Sequence, residues 1–262
     1  MTGFRAEAAT VRLGGRTVLD EAHVQVRPGR VTVLIGPNGA GKSTLLGALA
    51  GDVKLAAGRV TLDGAAIADM RPATLAARRA VLAQSTELAF PFTVDEVVRL
   101  GLPPMPRDEA DAIALRCLET VDLVRAKNRS CLDLSGGERQ RAHLARVLAQ
   151  LAAAPKGAAS YLFLDEPIAS LDLDHQVATL ALARRHAEAG GGVLAVLHDL
   201  NMAVMAADEI VGLRQGRIVL AGPPAEVVTD DSVRALYGVE ARVRGVPEGP
   251  FLLPQTIRAA AR

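Results

Sequence analysis

The sequence predicts an α/β fold with a mainly parallel sheet, an antiparallel β part and an inserted helical lobe. Three observations carry that expectation. The runs VTVLI (31–35), YLFL (161–164) and GVLAVL (192–197) are short and continuously apolar, as strands covered on both faces are. Each ends near Gly, Asp or His and gives way to helical periodicity, the alternation of a parallel sheet with crossover helices. Residues 5–30 and 58–64 instead alternate apolar with polar positions around GG, PG and DG turns, which reads as antiparallel strands flanking the core.

From residue 84 to residue 151 the texture is helical, without strand-like runs. The expected organisation is therefore one domain, with residues 1–83 and 152–262 forming the α/β core and its antiparallel part, and residues 84–151 forming a helical subdomain. ERQRAHLARVLAQLA places Leu144, Val147, Leu148 and Leu151 at helical spacing. Arg139, Arg141 and Arg146 fall largely elsewhere around that helix, where the simplest reading is a solvated face. Residues 152–160, rich in Ala with Pro and Gly, read as a surface connection.

Composition bounds the function. The 262 residues are 50% hydrophobic and 23% charged, with a formal net charge of +1, enough chain for a substantial core. Balanced charge disfavours a polyanion as the main partner, so nucleic acid is not expected. MTGFRAEAAT has no apolar signal-peptide core, and no stretch approaches the roughly 18 to 20 apolar residues of a membrane helix. Cys117 and Cys131 lack metal-type spacing and read as small buried residues.

Chemistry begins at GPNGAGKST, between the first apolar run and the helical STLLGALAG. This is P-loop spacing in strand-loop-helix context. Gly36, Pro37, Asn38, Gly39, Ala40, Gly41, Lys42, Ser43 and Thr44 are the candidate phosphate-binding residues. Glycines let backbone N–H groups turn to the phosphates, Lys42 reaches the β and γ groups, and the Ser43 hydroxyl can ligate magnesium.

The second apolar run ends in Asp165 and Glu166. Ligands of an open parallel sheet bind at the carboxyl ends of its strands, so both carboxylates are expected beside the P-loop. Asp165 would hold magnesium through its water shell, and Glu166 would orient or deprotonate the attacking water. His198 follows the third run at the same edge and could bond the γ-phosphate while keeping water and Glu166 in register. His23, His143, His175 and His186 read as structural. Gln84 ends VLAQ, where its amide could reach the magnesium or the water. LSGGE (134–138) sets a hydroxyl, two glycines and a carboxylate before a helix, an anion-binding arrangement far along the chain from the phosphate loop.

Together these motifs resemble the ATP-binding subunits of ABC transporters, in order and over nearly the whole chain: GPNGAGKST as Walker A, Gln84 as the glutamine loop, LSGGERQR as the signature, FLDEP as Walker B, SLD as the D-loop and His198 as the switch histidine. The resemblance implies a P-loop ATPase that binds ATP and Mg2+ as a two-fold homodimer. Each nucleotide would lie between the P-loop of one copy and Ser135, Gly136, Gly137 and Glu138 of the other, with Asp172 crossing the same interface. It also implies two separate transmembrane permease subunits. Residues 85–104, with Phe90 and Phe92 flanking Pro91, are the expected permease contact; the alternative is that both rings pack the lobe's own core.

LAFPFTVDEVV, the insert ARVLAQLAAAPKGAASYLFLDEP and the tail VLHDLNMAVMAADEIVGLRQGRIVLAGPPAEVVTD resemble hemin import ATP-binding proteins. That likeness implies haem as cargo, a periplasmic haem-binding protein as indirect partner, and a peripheral place on the cytoplasmic face of the inner membrane. Siderophore or cobalamin import is the alternative, and a soluble non-transport ABC ATPase a further one, although long coiled coils and a second cassette are lacking. The chain departs from the pattern where many relatives place an adenine-stacking ring upstream of the P-loop: VRLGGRTVLD offers Leu13 or Val11 there, and Phe4 would have to reach by another path. Ala83 and Ile168 stand where proline and threonine are frequent, and neither removes a catalytic group.

Overall fold

Val31, Val33 and Ile35 point into one buried cluster while Leu34 points into another, and the same alternation recurs at Leu162 and Leu164 against Tyr161 and Phe163. Because both faces of these strands are covered, a period-2 backbone reads as an unbroken apolar run. A computed structural model describes residues 2–84, 90–155, 157 and 159–243 of the chain. The elements follow in the order β1 (Phe4–Leu13), β2 (Arg16–Val26), β3 (Val31–Ile35), α1 (Lys42–Ala50), β4 (Ala57–Leu62), β5 (Ala65–Ala66), α2 (Pro72–Ala76) and β6 (Arg79–Leu82). Then come α3 (Val94–Arg99), α4 (Arg107–Thr120), α5 (Gly136–Ala152), β7 (Tyr161–Asp165), α6 (Leu173–Glu188), β8 (Gly192–Val196) and α7 (Leu200–Ala206). β9 (Glu209–Arg214), β10 (Arg217–Gly222), α8 (Pro224–Val227) and α9 (Asp230–Tyr237) complete the described chain.

The larger sheet has the order β10-β9-β3-β8-β7-β6. Its strands are parallel except β10, which pairs antiparallel with β9 at the edge. The three apolar runs occupy its centre as expected. β6 and β9 carry no such signal, since Arg79, Glu209, Gly212 and Arg214 limit their apolar character. The smaller sheet, order β2-β1-β4-β5, is antiparallel. Phe4 of β1 meets Tyr161 and Phe163 of β7 edge-on at ring-centroid distances of 4.9 and 5.2 Å, joining the two sheets through quadrupole-favoured aromatic contacts.

Helices α3, α4 and α5 pack on one another, and α5 also rests on β6. Ala142, Leu144, Ala145, Val147 and Ala149 are the buried stripe of α5. Arg141 and Arg146 of this helix do not lie on a solvated face. Arg141 donates to the carbonyls of Val121 (2.8 Å) and Asp122 (3.2 Å), and Arg146 donates to Val81 O of β6 at 3.2 Å. Arg139 is exposed yet reaches Leu134 O at 3.2 Å. A guanidinium on a long apolar stem can cross a partly buried surface and still satisfy orphan carbonyls, which helical periodicity does not register. Gln150 adds bonds to Ala76 O and Arg79 O at 2.8 and 3.0 Å.

Phe92 packs against the main cluster, whereas Phe90 is 66% exposed with its ring 6.1 Å from that of Phe92. The alternative that both rings pack the lobe's own core therefore holds for Phe92 and not for Phe90. Residues 85–89 of the same segment lie outside the described residues. Among the described residues no helix is long and apolar enough to cross a membrane.

Candidate active site

Parallel register sets the site. Leu34 pairs with Val196 and Asp165 with Val196, while Leu82 pairs with Leu164, so β3, β6, β7 and β8 all end at one edge. The P-loop, Gln84, the Asp165–Glu166 pair and His198 leave the sheet there, as ligand-binding residues of open parallel sheets do. At Gly36 the chain turns with φ 142°, and a Cβ would lie 2.1 Å from Leu213 O, so only glycine fits the start of the loop.

A cavity of about 510 Å3 opens at this edge, lined by residues 38–44, Val18, Gln84, Glu166 and His198. Lys42 is buried, and its ammonium donates to Gly36 O (2.9 Å) and Pro37 O (3.0 Å). Burial pushes its pKa down, while Glu166 and Asp165 pull it up. Ser43 Oγ donates to Asp165 Oδ1 at 3.0 Å. Asp165 is 7% exposed, and desolvation, reinforced by Glu166, pushes its pKa up against the Ser43 bond and the charges of Lys42 and His198. The unfavourable ionisation of a buried carboxylate is what a nearby cation relieves.

Glu166 and His198 meet directly, with Oε1 and Nε2 2.5 Å apart. The two groups share one hydrogen bond, whose direction is set by the tautomer of the imidazole. Asp199, next in sequence, caps α7 by accepting from Asn201 N (2.8 Å) and Met202 N (3.0 Å), which fixes the turn carrying the histidine. Glu166 itself has φ +51°, a left-handed conformation costing a non-glycine residue about 1–2 kcal/mol. Its carbonyl accepts from Ala169 N at 3.3 Å and from Gln140 Nε2 at 2.9 Å. Gln140 Oε1 in turn accepts from Ser170 N at 3.3 Å.

The signature residues stand elsewhere. Ser135 caps α5: its Oγ accepts from Glu138 N (3.2 Å), while Glu138 Oε2 accepts from Ser135 N (2.9 Å). This capping box leaves Glu138 facing its own helix and Arg129, 3.2 Å away, and the Ser135 N–H bond first of all holds its carboxyl below the usual range. At Gly137 a Cβ would stand 2.9 Å from Ser170 O, so glycine admits that backbone. None of Ser135, Gly136, Gly137 and Glu138 lines the cavity, nor does Asp172, which opens α6 exposed and without a side-chain cap bond.

Two residues at the site escaped sequence reasoning. Val18 lines the cavity, whereas Val11 is fully buried in the core and Leu13 is 52% exposed; neither lines it. Phe4 is fully buried against Tyr161 and Phe163 and offers no route to a base. Gln140 was given no role of its own; its place within LSGGERQR, one turn into the helix, was the available signal.

The family profile described as "ABC transporter" matches residues 19–169. The chain is 47% identical to the hemin import ATP-binding protein HmuV of Rhizobium meliloti (strain 1021), over 97% of this chain and 98% of the relative. It is 46% identical to the protein of the same name from Chelativorans sp. (strain BNC1), again over 97% and 98%. Among solved structures it is similar to the dimeric post-hydrolysis state of the ATP-binding cassette MJ0796 bound to ADP and Pi. That likeness has a TM-score of 0.74 at 26% identity, covering 84% of this chain and 98% of the other.

Proposed function

The chain belongs to the ATP-binding subunits of the ABC transporter family, and from that premise we propose that it hydrolyses ATP to drive haem import through a separate membrane permease. The cargo reading rests on near full-length similarity to proteins named for hemin import. No residue of the site selects haem by its chemistry.

The observation that carries the mechanism is a division of labour: the cavity gathers the P-loop, Gln84, Glu166 and His198, while the N-terminus of α5 lies outside it. That separation supports the reading in which a second copy completes each nucleotide site. In a two-fold pair, Ser135, Gly136 and Gly137 of a second copy supply helix N-terminal N–H groups and a hydroxyl to the γ-phosphate, and Asp172 crosses the same interface. Glu138 supports this arrangement by bracing Ser135 through the capping box.

Within each site the backbone of residues 36–41 and the thirteen-atom turns that open α1 surround the β-phosphate, and Lys42 exchanges its carbonyl partners for phosphate oxygens. Glu166 takes a proton from water as its oxygen bonds to the γ-phosphorus and the bond to ADP breaks, giving ADP and phosphate. His198 holds Glu166 by the bond already present and reaches the γ-phosphate from the same edge. Magnesium fits beside Asp165, a buried carboxylate bonded to the Ser43 hydroxyl. Among the described residues no group of three His, Cys, Asp or Glu could hold a metal, so such an ion would share Ser43, Asp165 and the Gln84 amide with phosphates and water. Its chemistry would be to neutralise charge developing on the phosphates.

ATP binding closes the dimer and hydrolysis reopens it, moving a permease pair that docks near Phe90. The subunit would sit on the cytoplasmic face of the inner membrane. The test is ATPase activity of the chain assembled with its permease, with and without a haem-loaded periplasmic binding protein. Stimulation by that protein but not by siderophore- or cobalamin-loaded counterparts is the expected result; stimulation by another loaded protein alone would move the cargo and keep the transporter.

A further inference from the structure

We infer that Gln140 is a positioning residue for the hydrolytic base, tying the helix that starts at Ser135 to the backbone of Glu166. This rests on the ATPase reading above. One side chain makes both connections: Gln140 Nε2 donates to Glu166 O at 2.9 Å, and Gln140 Oε1 accepts from Ser170 N at 3.3 Å. The amide offers a donor and an acceptor on separate atoms; a carboxylate loses the first bond and an alkyl chain loses both.

The clamp falls where the backbone needs it. Glu166 is held at φ +51° immediately after β7, and a strained residue persists only where its surroundings over-determine it. Ala169 N at 3.3 Å is the other donor to the same carbonyl, a longer bond within the local turn. The Gln140 bond comes from a different part of the fold. Removing it leaves the turn free to relax, and the carboxylate 2.5 Å from His198 moves with it.

The same helix presents Ser135 to the partner's nucleotide in the proposed dimer. Gln140 is five residues further along, so α5 connects the phosphate bound by one copy with the base of the same copy that serves the other nucleotide. Ser170, whose carbonyl approaches Gly137 and whose N–H is held by Gln140, leads directly to Asp172. Seating the signature against a partner's γ-phosphate and aligning Glu166 in its own site thereby become one movement.

The test compares Gln140→Glu, close to isosteric and still an acceptor for Ser170 N, with Gln140→Leu in the full-length chain. Both should lower kcat about 10- to 100-fold, the range expected when a reacting group is misplaced by about an ångström, with the KM for ATP changed less than about twofold. In a Glu166→Gln background, Gln140→Leu should slow the residual single-turnover hydrolysis no further, because the group it positions is gone. Wild-type kcat in both variants overturns the inference, and so does an undiminished loss in the Glu166→Gln background. A Glu166→Gln single variant that turns over at the wild-type rate would instead fail the base assignment itself. Should Gln140→Leu prove unstable on thermal melting, Gln140→Glu alone decides, through its kcat against KM.

Discussion

His198 Nε2 lies 2.5 Å from Glu166 Oε1, a contact between residues 32 apart in sequence that exists because β7 and β8 are parallel neighbours. The histidine thus fixes the carboxylate, and His198→Ala should leave Glu166 mobile.

Glu166→Gln keeps the shape and the approach to His198 but cannot accept a proton from water. Hydrolysis should fall by about 10²- to 10⁴-fold, the usual contribution of a general base, with ATP affinity little changed. ATP should then trap a dimer, visible by size-exclusion chromatography with light scattering; a monomer at saturating ATP would count against the sandwich.

Ser135→Arg puts a bulky cation at the start of α5, outside the cavity of its own chain. Each chain should still bind ATP, as read by nucleotide fluorescence titration, while ATP-dependent dimerisation and turnover drop to background. Full turnover would sink the role of the partner's helix terminus.

Asp165→Asn should stabilise the nucleotide-free chain while abolishing Mg-dependent turnover. Burial raises the Asp165 pKa from 3.8, so the folded chain holds its proton more tightly than the unfolded one. That favourable difference is present below 3.8 and lost as pH rises through the raised value, leaving a penalty at neutral pH. The melting temperature of the variant should exceed wild type at pH 7, and the gap should narrow as pH falls towards 4.

His143 works in the opposite direction. Burial, helped by Arg146 and Arg139, pushes its pKa from 6.5 down to about 4. The unfolded chain therefore binds a proton that the folded chain refuses, and stability present above 6.5 is lost as pH falls to about 4, by up to roughly 3 kcal/mol. Neither ring nitrogen has a hydrogen-bond partner, so His143→Leu forfeits no bond. Denaturant titrations at several pH values should show a shallower acid loss in the variant than in wild type.

The motifs were legible because their chemistry is local. A P-loop needs its glycines, Lys42 and Ser43 in consecutive turns, and a doubly covered strand such as Val31–Ile35 must be apolar at every position. β6 and β9 were not legible, since Arg79 and Glu209 reach solvent or carbonyl partners from strands whose membership is decided by pairing with neighbours. Arg146 looked solvated for a related reason: its partner, Val81 O, is 65 residues away.

Sequence alone thus determined the parallel core, the phosphate loop and the carboxylate pair, because each is written in residue types at short spacing, whereas the expectation that LSGGE serves a second copy came from resemblance to a family. Tertiary structure decided which residues converge. Val18 rather than Val11 or Leu13 faces the cavity, Phe4 is committed to the joint between the sheets, and Gln140 reaches Glu166 and Ser170. These depend on strand register and on how α5 lies across the sheet edge, long-range geometry that forms only when distant segments pack.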